Sequence, residues 1–139
     1  MTATTIQILC DNNIGRMDFL GEHGFAAHVT HDSGAYLFDT GQGLTLPHNV
    51  RQAGLQMANL DAVLLSHGHY DHTGGLGWVL EQTGPIDIHA HPDVFTPHLA
   101  LNESNSSPSP RSVGCPRSQA DLEKAGGRFV FHAATAQIA

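Results

Sequence analysis

Apolar and polar positions divide this chain into short segments whose periodicity changes repeatedly. Ile6 to Leu9 reads as an inner strand, and a loop rich in Gly, Asn and Asp follows over residues 11–24. Phe25 to Val29 and Ala35 to Phe38 flank His31-Asp32-Ser33-Gly34, a Gly-containing turn, and together predict a hairpin. Leu46 to Ala53 predicts a short helix, ended by Gly54, which readily takes the left-handed conformation that stops a helix. Ala62-Val63-Leu64-Leu65 is a continuous apolar run, as a fully buried strand requires. Thr73-Gly74-Gly75 leads into a helix from Leu76 to Gln82, and Ile86 to Ala90 is the next strand. Residues 102–118 are rich in Ser and Pro, bury little, and predict a mobile excursion. Gln119 to Ala125 fits a helix stopped by Gly126-Gly127, and Arg128 to His132 a closing strand. The order β, β, β, α, β, α, β, polar segment, α, β contains no internal repeat and belongs to the α/β class.

Composition narrows the setting. With 40% of 139 residues hydrophobic, the chain can form one core, and a domain of this size buries about two-thirds of its chain surface. No apolar run approaches the roughly 20 residues that span a bilayer. Met1-Thr2-Ala3-Thr4-Thr5 lacks the basic region and apolar stretch of a secretory signal, so a cytoplasmic protein with no membrane partner is expected. A formal charge of −7 with six Lys plus Arg argues against a nucleic-acid partner. Cys10 and Cys115 are lone thiols; Cys10 should pack as a small hydrophobe, with no disulfide.

The chemistry concentrates in His67-Gly68-His69-Tyr70-Asp71-His72. Such a His-x-His-x-Asp-His arrangement arises by chance roughly 0.004 times in a chain of this composition, so it demands a reason. From a tight loop after the 62–65 strand, three imidazoles and a carboxylate can converge on metal. These ligand types suit zinc first, with iron or manganese as alternatives. His67 and His69 can reach one ion while Asp71 and His72 turn toward a second. Two metals about 3.5–4 Å apart can share a hydroxide and bring the pKa of water from 15.7 toward 7. That hydroxide would attack an ester, phosphoester or lactone-type substrate. Asp71 either orients the nucleophile, which makes it the candidate catalytic residue, or is a ligand only. Tyr70 is expected to pack.

The stretch Leu64-Leu65-Ser66-His67-Gly68-His69-Tyr70-Asp71-His72-Thr73-Gly74-Gly75-Leu76 resembles the signature of metallo-β-lactamase-fold hydrolases. Leu9-Cys10-Asp11-Asn12-Asn13, Glu22-His23-Gly24-Phe25 and Leu37-Phe38-Asp39-Thr40-Gly41-Gln42 resemble the branch related to ribofuranosylaminobenzene phosphate synthase. The resemblance implies the N-terminal half of a four-layer αββα sandwich, a mixed sheet with helices on one face. Residues 1–139 would then be a single partial domain, cut after the strand that precedes Thr135-Ala136-Gln137-Ile138-Ala139. In that family a third His, a bridging Asp and a further His come from the second half, and none of those motifs is present here. Two zinc ions per complete site are implied, with a small-molecule substrate that is phosphorylated or pterin-like.

The same likeness places Asp39 beneath the metal loop as a partner that orients a ligand; a turn-stabilising Asp is the alternative. Glu22 and His23 would lie near the pocket mouth, with solvated loop residues as the alternative. His89 and His91 alternate along a strand and either approach the metal loop or are structural. His28, His31, His48, His98 and His132 receive no role. Three functions stay open: a hydrolase portion, a catalytically incompetent half-domain that binds metal weakly or serves as an interaction subunit, and a half that pairs with itself. The half-domain would leave an uncovered sheet face and a tendency to self-associate.

Overall fold

The computed structural model describes residues 3–101 and 109–138. A six-stranded sheet runs in the order β1 (Thr5–Cys10), β2 (Ala26–His31), β3 (Gly34–Phe38), β4 (Ala62–Leu64), β5 (Ile86–Ala90) and β8 (Gly127–Phe131). β1, β2 and β3 pair antiparallel, whereas β3, β4, β5 and β8 run parallel. Local connections explain the change. Asp32-Ser33 closes a two-residue hairpin with His31 opposite Gly34, while each parallel step needs a long crossover, supplied here by helices. These are α1 (Leu46–Gln52), α3 (Leu76–Thr83) and α4 (Gln119–Lys124). Gly54 follows α1 at φ +69, the conformation its sequence position predicts. Ser118 caps α4 by accepting the Asp121 N–H at 3.2 Å.

The register separates the two faces of the sheet. Leu37, Val63 and Ile88 lie side by side on adjacent strands and are fully buried. They join Leu46, Val50, Leu76, Val79, Leu80 and Leu122 of the helices in one core. The opposite row is Ile8, Ala27, Phe38, Leu64, His89 and Val130. Here Ile8 and its neighbour Ile6 are exposed at the β1 edge, while Phe38, Leu64 and Val130 are half-buried.

Three elements depart from the sequence expectation. The metal-type motif is not one loop: its second half forms a one-turn helix, α2 (Tyr70–Thr73). His69 is the cause, because its carbonyl accepts the N–H groups of His72 and Thr73 and the Thr73 hydroxyl. Pro92–Phe95 forms a 3-10 turn, so His91 leaves the strand that holds His89. Of the excursion expected over 102–118, residues 102–108 lie outside the described residues. Pro110–Ser112 forms β7, paired antiparallel with β6 (Leu99–Leu101).

Cys10 is 1% exposed, and burial, opposed by the Thr45 hydroxyl and aided by the Glu22 carboxylate, pushes its thiol up to about 12. It therefore stays a neutral thiol well above ordinary pH, and the thiolate is the reactive form. Iodoacetamide at about pH 8 should label Cys115 alone in the native chain and both cysteines after unfolding, read by mass spectrometry. Prompt native labelling of Cys10 would contradict its packing.

Candidate metal centre

The site grows from the C-terminal ends of β3 and β4. Asp39 follows β3 at φ +56, a left-handed conformation that Asp tolerates better than most residues. Its N–H donates to the Leu64 carbonyl at 2.8 Å. That turn sends the carboxylate, 1% exposed, beneath the motif. One oxygen accepts the Ser66 N–H at 2.8 Å; the other accepts the Ser66 hydroxyl at 2.6 Å and His72 Nδ1 at 2.7 Å. Thr40 continues the grip, its N–H and hydroxyl both donating to the His72 carbonyl. Gly68 is required where it stands, since a Cβ there would run into the Val94 carbonyl.

These bonds fix ring tautomers. His72 donates from Nδ1 to a carboxylate, so its Nε2 is the lone-pair nitrogen. Ser66 gives its proton to Asp39, so its oxygen accepts from His67 Nδ1, 2.9 Å away. His67 therefore also presents Nε2 as a lone pair. Burial, then the neighbouring His72 and His69, hold His67 below the usual imidazole range, which keeps it neutral near pH 7. Neutral imidazole with its second nitrogen on a carboxylate-anchored partner is the form that binds metal.

The rings gather at one place. His67 lies 4.1 Å from His72 and 4.6 Å from His69, centroid to centroid. Buried Asp71 brings Oδ2 to 3.5 Å from His72 Nε2. Among the described residues, no group of three or more His, Cys, Asp or Glu is arranged so that it could hold a metal ion between them. The chemistry of the donor set fits a borderline cation such as zinc: imidazole nitrogens, two of them in rings with a fixed tautomer, a carboxylate, and no thiolate nearby.

The remaining candidates separate. Glu22 is buried rather than solvated, and it accepts the N–H groups of Gln42, Leu44 and Thr45 at 2.9, 3.1 and 2.9 Å. It fastens the 40–45 loop. His23 is exposed but reaches Asp71, with Nε2 3.2 Å from Oδ2. His89 lies in the row of Phe38 and Leu64, on the sheet face opposite the helices, and stacks on His132, with ring nitrogens 2.8 Å apart. Burial, then His132, holds His89 below its usual range. His91 instead borders, with Ser66, His67, Asp93 and His98, a cleft of about 200 Å³ beside the motif.

Three participants escape a reading by residue type. Ser66 was visible inside the motif, although its role depends on Asp39. Asn12 touches His23 across the β1–β2 loop. His98 packs edge-on to His69 at 4.8 Å, and its Nδ1 is buried without a hydrogen-bond partner among the described residues. No spacing signals that contact.

Comparison with known proteins places this geometry. The profile of the metallo-beta-lactamase superfamily matches residues 21–135. An uncharacterized protein of Methanocaldococcus jannaschii is 39% identical over 101 residues, 70% of this chain and 38% of the relative. The 7,8-dihydropterin-6-methyl-4-(beta-D-ribofuranosyl)-aminobenzene-5'-phosphate synthase of the same organism is 30% identical over 121 residues, 81% of this chain and 40% of the relative. Among solved structures, the Rm3 metallo-beta-lactamase matches with 25% identity and a TM-score of 0.47, covering 64% of this chain and 30% of its own. The chain thus spans about 40% of the length of the curated relatives it matches. With more than three-quarters of its residues inside the family profile, the chain belongs to the metallo-beta-lactamase superfamily.

Proposed function

We propose that this chain provides the N-terminal, metal-binding half of a zinc-dependent hydrolase that acts on an ester, phosphoester or lactone-type small molecule. The observation that carries the reading is the pair of hydrogen bonds by which buried Asp39 and its partner Ser66 engage Nδ1 of His72 and of His67, leaving both Nε2 atoms as lone pairs. His67 and His69 would hold one ion, Asp71 and His72 a second. A divalent metal bound there supplies Lewis acidity and brings the pKa of water toward neutrality. Asp71 orients the attacking nucleophile through its buried carboxylate, while Asp39 keeps His72 and Ser66 from turning. Iron or manganese would suit the same donors. Likeness to the pterin-pathway synthase favours a phosphorylated or pterin-like substrate met in the cytoplasm.

A second reading rests on the absence of a three-donor group among the described residues. Zinc sites generally use at least three protein ligands. With two donors per ion, affinity falls and the nucleophile loses its fixed position, along with the preorganisation that supplies much of the rate. The 139-residue chain would then be a half-domain that binds metal weakly, or one that pairs through the face bearing Ile6 and Ile8.

We expect substoichiometric zinc after dialysis and negligible turnover of phosphodiester and lactone substrates by the isolated chain. Chain continued to the length of its relatives should hold two ions and turn over. Two tightly held ions with robust turnover in residues 1–139 would overturn the half-site argument, and no metal in either form would overturn the hydrolase.

A further inference from the structure

Asp71 Oδ2 is approached by ring nitrogens from two sides, His72 Nε2 at 3.5 Å and His23 Nε2 at 3.2 Å. The two imidazoles differ in what holds their far nitrogen. His23 Nδ1 lies 3.3 Å from Asn12 Nδ2. The Asn12 amide is oriented by Gly24, whose N–H donates to Asn12 Oδ1 at 3.1 Å. Its nitrogen therefore faces His23 and can only donate. An imidazole nitrogen that accepts is the unprotonated one, so the His23 proton sits on Nε2 and points at Asp71.

The backbone repeats this arrangement. Gly24 has φ +138, and a Cβ on it would run into the Asp71 carbonyl. That carbonyl accepts the Phe25 N–H at 3.2 Å. The His23 carbonyl accepts the Gln42 side-chain amide at 2.6 Å. An exposed side chain on a loop is thereby delivered to one carboxylate oxygen by fixed bonds on either side of it.

We infer that His23 is a positioning residue for Asp71: it donates from Nε2–H in a tautomer set by Asn12, and it is not a further metal ligand. The inference deepens the proposed function, since it rests on Asp71 working at the metal centre. His67 and His72 carry the opposite tautomer, Nδ1–H, so rings set for binding and a ring set for orienting meet in a single site.

Two measurements on the full 139-residue chain test it. Long-range proton–nitrogen correlation spectra of the metal-free chain, at about pH 8 where imidazoles are neutral, should report Nε2–H for His23 and Nδ1–H for His67 and His72. Asn12→Ala should release the His23 preference alone. Cobalt(II) titration should find His23→Ala about tenfold weaker than the parent, at the low end of what partners of metal ligands cost. His23→Gln, which keeps a donor at a similar reach, should recover most of that loss with the parent's visible spectrum. An Nδ1–H tautomer at His23, or unchanged cobalt affinity in His23→Ala, overturns the inference. Equal losses in the Ala and Gln variants with an altered spectrum would make His23 a ligand instead. If the parent binds no cobalt, the positioning role in this chain falls while the spectra still decide the tautomer, and the hydrolase reading falls only if the chain continued to the length of its relatives also binds no metal.

Discussion

Asp39→Ala should lower the stability of the metal-free chain by about 2–5 kcal/mol, the cost of taking a buried acceptor away from several donors. Three donors converge on this carboxylate; the backbone Ser66 N–H cannot turn away, and His72 escapes only by giving up its Nδ1–H tautomer. Each buried donor left without an acceptor costs about 1–3 kcal/mol. The left-handed φ of +56 adds to the loss, because Ala tolerates it less well than Asp. Asp39→Asn separates the contributions. It keeps the backbone preference and one oxygen, but sets an amide nitrogen against donors, and about half the loss should remain. Urea unfolding should show a lower midpoint at unchanged slope. In the same variants His72 should lose its Nδ1–H preference, tying stability to ligand readiness. A change below about 1 kcal/mol for Asp39→Ala would mean that the carboxylate does not hold the motif.

What the sequence made legible was local. Ala62–Leu65, a continuous apolar run, and Leu46–Ala53, stopped by Gly54, name their own structure because burial and chain reversal are written within a few residues. That His67, His69 and His72 can converge is legible in their spacing, although hydrogen bonds from elsewhere in the fold orient two of the rings. The polar segments were harder. α2 forms in the middle of a charged motif because His69 offers its carbonyl to the next turn, an interaction that hydrophobic periodicity does not register. β6 and β7 contain no strand-like alternation. They are held by the Val113 N–H on the His98 carbonyl and the Tyr70 N–H on the Val113 carbonyl.

Side-chain roles failed to be legible wherever the partner is distant in the chain. His89 and His91 look like neighbours on one strand face, yet the strand ends at Ala90 and His91 turns off into the 3-10 turn. His89 finds His132 instead, because the His132 N–H donates to the Ala90 carbonyl at 2.9 Å and continues the parallel pairing of β5 with β8. Asp39 was within reach only through the family resemblance, since an acid ending a strand reads equally well as a turn-stabilising residue. Glu22 was not, because a loop carboxylate reads as solvated until its three backbone donors, 20 to 23 residues away, are known.

Glu22 is therefore the sharpest test of how the loops support the site. Glu22→Ala should cost about 2–4 kcal/mol, less than three full desolvation penalties. Leu44 is largely exposed, so its N–H and that of Gln42 can turn to water, whereas Thr45 is buried and its N–H cannot. Glu22→Gln should recover little. A single oxygen can serve Gln42, or Leu44 with Thr45, but the amide nitrogen then confronts the remaining donors. Hydrogen exchange should place the loss of protection at amides 42, 44 and 45 first. The effect reaches the metal centre through the chain that Glu22 fastens: Asp39 and Thr40, which grip Ser66 and His72, lie at the start of that loop. Loosening it should weaken metal binding without touching a ligand. Full stability in Glu22→Ala would show that water satisfies the 42–45 backbone. Lost stability with undiminished metal affinity would show that the Asp39 end of the loop is held by the β3–β4 pairing alone.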